Sequence, residues 1–397
     1  MMNKSLIILS ILMIFSVLSS KLSGRYGLPS LVLFLAIGML AGADGIGGIH
    51  FADYEMAKVV GIIALIFILF SGGLDTLWSE VRDQIWSGLS LSTLGVLIST
   101  AIVGLFASYF LHLDWAQGLL LGAIISPTDA AAVFLVLKTQ KLQVPKKVIA
   151  ILELESGSND PICIFMVITL LEILTYDSFS WSHTGWIFVK QMGIGFILGF
   201  LFALISRFLL DKLQLESPGL YPVLTIGLVL LNFGLCEEAQ GNGFLSVYIH
   251  GLLMPKKQLP IKDHLSFFHE GIAWNMQVVM FIGFGLLVAP NKVFSIADRS
   301  LWVAFVLVFV ARPVSVFISL LGAKLSFKDK LMISWMGLRG AVPIVLAIYP
   351  MLAGIKHASL IFNVVFFVVL SSLLLQGTSI HWMAVHFFKS RDTRPLS

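Results

Sequence analysis

Three carboxylates lie within nine positions of one another, in the stretch Glu153-Leu-Glu-Ser-Gly-Ser-Asn-Asp-Pro161. Their chemistry is oxygen chemistry. A poorly hydrated carboxylate can hold a proton or, once ionised, bind a hard cation, and hydroxyls, backbone carbonyls and water complete such a shell. Proton and cation then compete for one negative charge, which together with alternating access is sufficient for exchange. Other chemistries fit less well. The histidines and two cysteines form no metal-ligand spacing, and no Gly-x-Ser-x-Gly elbow or phosphate loop is present in the sequence.

Helical spacing sorts these residues into faces. Ser156 and Asp160 are four apart, as are Glu155 and Asn159, so each pair shares a face. Asp160, near the middle of its segment, is expected to be the central carboxylate. Glu153, seven residues earlier, either lines the inner approach or is a plain helix-end residue. Glu155 is expected to face a basic partner such as Arg339.

The segment that carries them, about 148–174, is apolar and long enough to cross a bilayer. An ionisable group at that depth costs several kcal/mol or more, so it marks a functional site by default. The whole chain has this character. It has 397 residues, 58% hydrophobic and 12% charged, with a mean hydropathy of +0.95. Soluble proteins carry about 25% charged residues, so the composition indicates a polytopic membrane protein. The pI of about 9.0 is read as loop charge that fixes topology, and no nucleic-acid partner is expected.

Apolar spans fall at about 5–20, 28–42, 57–74, 85–111, 116–137, 148–174, 184–210, 219–236, 241–254, 271–289, 299–321, 331–353 and 359–388. Of the 26 basic residues, eighteen fall in loops or towards span ends on one side and six on the other. The positive-inside rule then places the N-terminus outside and the C-terminus in the cytoplasm. The remaining two, Arg312 and Arg339, lie near the middle of spans. Arg312, followed by Pro313, can cap a kinked helix or serve the site. His250 is read chiefly as a polar helix-end residue. The Phe-rich stripes are read as lipid-facing or core packing.

Thirteen spans divide as six, one and six, the arithmetic of an inverted repeat: repeat one at about 5–174, a linker helix at about 184–210 and repeat two at about 219–388. The fifth span of each half is interrupted near its midpoint, at Ser126-Pro-Thr-Asp129 in one and Gly337-Leu-Arg-Gly-Ala-Val-Pro343 in the other. Proline removes a backbone donor and clashes with the preceding turn. Interrupted helices in matching positions point to a transporter's substrate site. Asp129 at one break and Arg339 at the other are expected to compensate the exposed helix dipoles or to pair with buried charges.

Three motifs together, Ile125-Ser-Pro-Thr-Asp-Ala-Ala-Ala132, Glu153 to Pro161 and Leu338-Arg-Gly-Ala-Val-Pro343, resemble the signatures of the monovalent cation:proton antiporter-1 family, the NhaP and sodium/proton exchanger type. Phe34 to Gly48 and Leu370 to Thr378 look like its bacterial potassium/proton branch. The resemblance implies an all-α integral membrane protein of about thirteen transmembrane helices, with two broken, crossing helices in an NhaA-like fold. It implies a homodimer in the cell (inner) membrane that serves pH homeostasis. It also implies a monovalent cation (Na+, K+ or Li+) at Asp160, Ser156 and Thr128, with Asn159 holding the site together. Asp129 joins the binding set, and Glu155 pairs with Arg339. Asp75 falls where such proteins place an acidic residue on the third helix. The Asn159-Asp160 pair goes with electroneutral exchange, and no cofactor is expected beyond the transported ions. Residues 1–388 then form one transmembrane domain, and 389–397 a short tail without the regulatory domain usual in that branch. The competing readings are a cation channel and an intramembrane aspartyl protease built on Asp129 and Asp160.

Overall fold

Without water, each backbone N–H and C=O must find its partner inside the protein, and a helix does this within one segment. The computed structural model describes residues 2–26, 29–129, 133–134, 137, 144–176, 180–213, 215–254 and 262–388. Loop residues 138–143 and 255–261 and the tail 389–397, which carry part of the basic-charge count, lie outside the described residues.

Each of the thirteen expected spans contains a helix. In chain order these are α1 (Met2–Tyr26), α2 (Ser30–Ala41), α3 (Tyr54–Asp75), α4 (Trp78–Leu111), α5 (Trp115–Ile125), α6 (Lys146–Thr175), α7 (Trp181–Lys212), α8 (Leu220–Glu238), α9 (Gly243–Leu253), α10 (Lys262–Leu287), α11 (Ala297–Ser319), the half-helices α12a (Phe327–Trp335) and α12b (Ala341–Leu352), and α13 (Ala358–Phe388). Among the described residues, eight are long and apolar enough to cross a membrane. Local chemistry sets several starts. The Asp53 carboxylate accepts from the Met56 N–H at 2.9 Å, and Ser326 with Asp329 forms a capping box at α12a.

The helices sort into two groups by packing. In the first bundle α10 packs on α2 and α3, and α9 on α3, α7 and α8. In the second, α4 packs on α5, α6 on α4 and α5, and α13 on α11 and α12b. The groups meet mainly where α12b lies on α3 and where α9 lies on α6. Phe70, Phe281, Phe284 and Phe366 are fully buried, whereas Phe196, Phe200 and Phe208 of α7 stand exposed. Aromatic residues therefore serve both core packing and the exterior.

Two helices carry a π-helical turn, Leu91–Gly95 in α4 and Val306–Ala311 in α11. These are the fourth spans of the two halves. The π turn of α4 packs on Arg312–Ser319, and Ser90 Oγ donates to the Ser319 carbonyl at 2.8 Å. A π turn adds one residue to a helical turn and so re-aims everything that follows it.

Candidate functional site

The site begins with the two interruptions. α5 ends at Ile125 and residues 126–129 are non-helical, with Pro127 unable to donate. α12a ends at Trp335, and α12b starts only at Ala341, with Gly337 and Gly340 between them. The two non-helical segments cross, and the Asp129 N–H donates to the Leu338 carbonyl at 2.8 Å. Half-helix ends are thus buried inside the bundle, where carbonyls at the ends of α5 and α12a and N–H groups at the start of α12b have no partner within their own helix.

Charged side chains meet these ends. Arg339, 2% exposed, donates from Nη1 to the carbonyl of Ser126 and, at 3.0 Å, to that of Pro127, just past the end of α5. Arg312, 3% exposed, donates from Nη2 to the Ile333 carbonyl in the last turn of α12a at 3.2 Å. The carboxyl of Asp129 lies against Gly340, where a Cβ would overlap it, at the N-terminal end of α12b. Each buried arginine therefore answers the negative end of one interrupted helix, and Asp129 the positive end of another. Gly340→Ala would push a methyl group into that carboxyl. It is expected to destabilise the protein by about 1–3 kcal/mol. A melting temperature equal to wild type would show that Asp129 is free to move aside.

One expected pairing is corrected. Glu155, 1% exposed, is not bonded to Arg339 but accepts both Nη groups of Arg312, the Nη2–Oε2 distance being 2.9 Å. Arg339 has turned its Nη1 to the α5 carbonyls, and Glu155 points from α6 towards α11. The buried ion pair remains, with the other in-span arginine as partner.

Between the two bundles lies a cavity of about 380 Å³. It gathers Asp160, Ser156, Thr128 and Asp129 at its inner end, with Glu153 and the exposed Asp75 towards the end of α3. Six expected residues from three separate segments thus share one space. Asn159 stands one layer behind and is fully buried. Its Nδ2 donates to Thr128 Oγ1 at 2.7 Å, and that oxygen lies 3.3 Å from Ser156 Oγ. Asp160 is 6% exposed, and its Oδ1 has no hydrogen-bond partner among the described residues. A buried carboxylate oxygen without a protein donor, beside two hydroxyls, suits a ligand carrying positive charge.

Sequence reasoning missed one wall. Glu270, Trp274 and Gln277 of α10 and Tyr248 of α9 also line the cavity. The spacing of four and three from Glu270 to Gln277 marks one helix face, which was the available signal. It was hidden because the apolar pattern starts that span at 271, whereas α10 starts at Lys262. Tyr248 lies flat where Gly157 leaves room; a Cβ there would enter its ring. His250, in the last turn of α9, is fully buried and does not line the cavity. Its Nε2 lies 2.7 Å from Ser206 Oγ and its Nδ1 3.5 Å from Asn232 Nδ2.

Two interrupted helices crossing beside a buried carboxylate, walled by a second helical bundle, define the architecture of a secondary membrane transporter. The chain belongs to the sodium/hydrogen exchanger (transmembrane) family, whose model matches residues 8–386. It is 41% identical over 379 residues to the K(+)/H(+) antiporter NhaP of Alkalimonas amylolytica, and 44% identical over 388 residues to the K(+)/H(+) antiporter NhaP2 of Shewanella baltica. Each match covers 95% of this chain and 66% of the relative's length. The structure of the sodium proton antiporter MjNhaP1 from Methanocaldococcus jannaschii at pH 8 matches with a TM-score of 0.84, over 97% of this chain and 99% of that one. At 24% sequence identity, that likeness concerns the fold.

Proposed function

We propose that the protein exchanges a monovalent cation, K+ or Na+, for H+ by alternating access of one carboxylate site. The observation that carries this reading is Asp160, buried at the inner end of a cavity with Oδ1 lacking a donor among the described residues, next to Thr128 and Ser156. The cation binds Asp160 with the two hydroxyls. Asn159 fixes Thr128 through its 2.7 Å hydrogen bond and so ties the α5 break to α6. Asp75 and Glu153 draw cations into the cavity by raising their local concentration. One cation and one proton replace each other on a single charge, so the exchange is electroneutral. K+ is favoured by the two relatives named K(+)/H(+) antiporters. A channel would need a pore lined continuously from face to face, whereas this cavity serves one asymmetric site.

The proposal includes a homodimer in the cell (inner) membrane, N-terminus outside and C-terminus cytoplasmic. It also includes the division into two inverted repeats joined by the linker helix near 184–210. In support, the fifth spans of both halves are interrupted and the fourth spans both carry a π turn.

Purified protein in liposomes tests the reading. An imposed proton gradient should be dissipated by K+, Na+ or Li+ added in turn, saturably and without net current. Cation conductance uncoupled from protons would overturn it in favour of the channel. Within the site, Thr128→Val should weaken apparent cation affinity about tenfold, roughly 1.4 kcal/mol, because it removes one coordinating oxygen. Unchanged apparent affinity would remove that hydroxyl from the shell.

A further inference from the structure

On the side away from Asp75, the cavity ends at Leu65 of α3 and Pro343 of α12b. Beyond that point the two helices continue in contact. Tyr54, Lys58, Gly61 and Leu65 are spaced by four, three and four residues, one face of α3. Gly61 fits against Val345 so closely that a Cβ would fall 2.9 Å from Val345 Cγ2. One turn further out, Lys58 Nζ stands 5.1 Å from the centroid of the Tyr349 ring. At the end of the helix the Tyr54 ring meets Phe362 of α13 edge-on, with 6.1 Å between centroids and 89° between planes. Every one of these contacts joins the first bundle to the second.

We propose that this seam is the gate that closes the far side of the cavity, and that Lys58 on Tyr349 is its latch. The proposal rests on the exchange reading, because a carrier must present its site to both faces. While Gly61 and Val345 are in register the seam is shut at that level, since there is not room between them even for a Cβ on Gly61. The latch favours the closed gate because a cation held over an aromatic face is attracted most strongly where water is excluded. Opening hydrates the ammonium and weakens that attraction. Lys58 and Tyr349 touch no transported ion. They are positioning residues, which set the share of time the site faces each side.

Lys58→Met keeps most of the side-chain stem and removes the charge. The far-side-open state is the minor one, so apparent affinity measured from the far side should rise about fivefold, with little change from the cavity side. A merely structural defect would weaken both sides alike. An equal change on both sides, or no change, overturns the latch.

A cross-link tests the gate itself. In a background of Cys163→Ala and Cys236→Ala, Gly61→Cys with Val345→Cys places two thiols at a separation that suits a disulfide. Oxidation should stop exchange in liposomes and reduction should restore it. Exchange that continues in fully cross-linked protein overturns the gate. Absence of cation-dependent proton exchange in the wild-type protein would instead overturn the functional reading, so the two failures are distinguishable.

Discussion

Asp160→Asn abolishes cation-driven proton movement while the protein still folds: that is the expected result in liposomes. The substitution is nearly isosteric, so it keeps the volume at the inner end of the cavity and removes only the exchangeable charge. The amide can neither take up a transported proton nor neutralise a cation, and both half-reactions are lost together. Asp160→Ala should behave alike, because the side chain is buried by the surrounding helices rather than packed as an apolar core residue. The decisive comparison is exchange against folded protein, by flux and by size-exclusion profile. A variant that exchanges at more than about one tenth of the wild-type rate, ~1.4 kcal/mol or less in the barrier, would move the carrier role elsewhere, and Asp129 would be the first candidate. A variant that loses its fold would show instead that Asp160 braces the crossing.

Glu155→Ala is expected to destabilise the protein by about 3–5 kcal/mol, because it leaves Arg312 buried and uncompensated. Arg312 is 3% exposed and bonded to both Glu155 oxygens, so water cannot readily replace the lost carboxylate. Arg312→Ala should be at least as costly, since it also strips the Ile333 carbonyl of its donor. Losses in the double variant should be smaller than the sum of the two singles, as expected for residues in direct contact. Arg339→Ala serves as a contrast, because its hydrogen bonds run to Ser126 and Pro127 and not to Glu155. Coupling of Glu155→Ala to Arg312→Ala that clearly exceeds its coupling to Arg339→Ala would confirm the pairing. A Glu155→Ala protein that melts normally and yet loses exchange would place Glu155 among the ion ligands.

The residues that proved legible are those whose type is costly where they sit. Asp160, Thr128 and Ser156 are polar at membrane depth, and Pro127, Gly337 and Gly340 prevent helices from continuing, so their positions alone signal a cavity. The partner of Glu155 was not legible. Two arginines lie near the middle of spans, and the choice between them depends on where each side chain emerges. Arg312 directly follows the π turn Val306–Ala311, which rotates the rest of α11 away from the direction that 3.6-residue spacing predicts. The wall formed by Glu270, Trp274 and Gln277 was lost for another reason. Hydropathy finds where a helix becomes apolar, and α10 begins two turns before that, with charged residues that look like loop.

A carrier leaks when its empty form makes the return journey. In this fold the permanent charges around the crossing are answered by fixed groups: Arg312 by Glu155 and the α12a carbonyls, Arg339 by the α5 carbonyls, and Asp129 by its place at the start of α12b. On the exchange reading proposed above, Asp160 is the group whose charge a passing ion must answer. Emptied, it would carry an unmatched negative charge past the Gly61–Val345 seam and work against the membrane potential at about 2.3 kcal/mol per 100 mV when that potential opposes it. Loaded with either proton or cation, it carries nothing for the field to act on. The half-helix ends and their arginines therefore do more than hold the crossing together. On the same reading they leave Asp160 as the charge that the passenger must balance, and that requirement suppresses slippage in each direction.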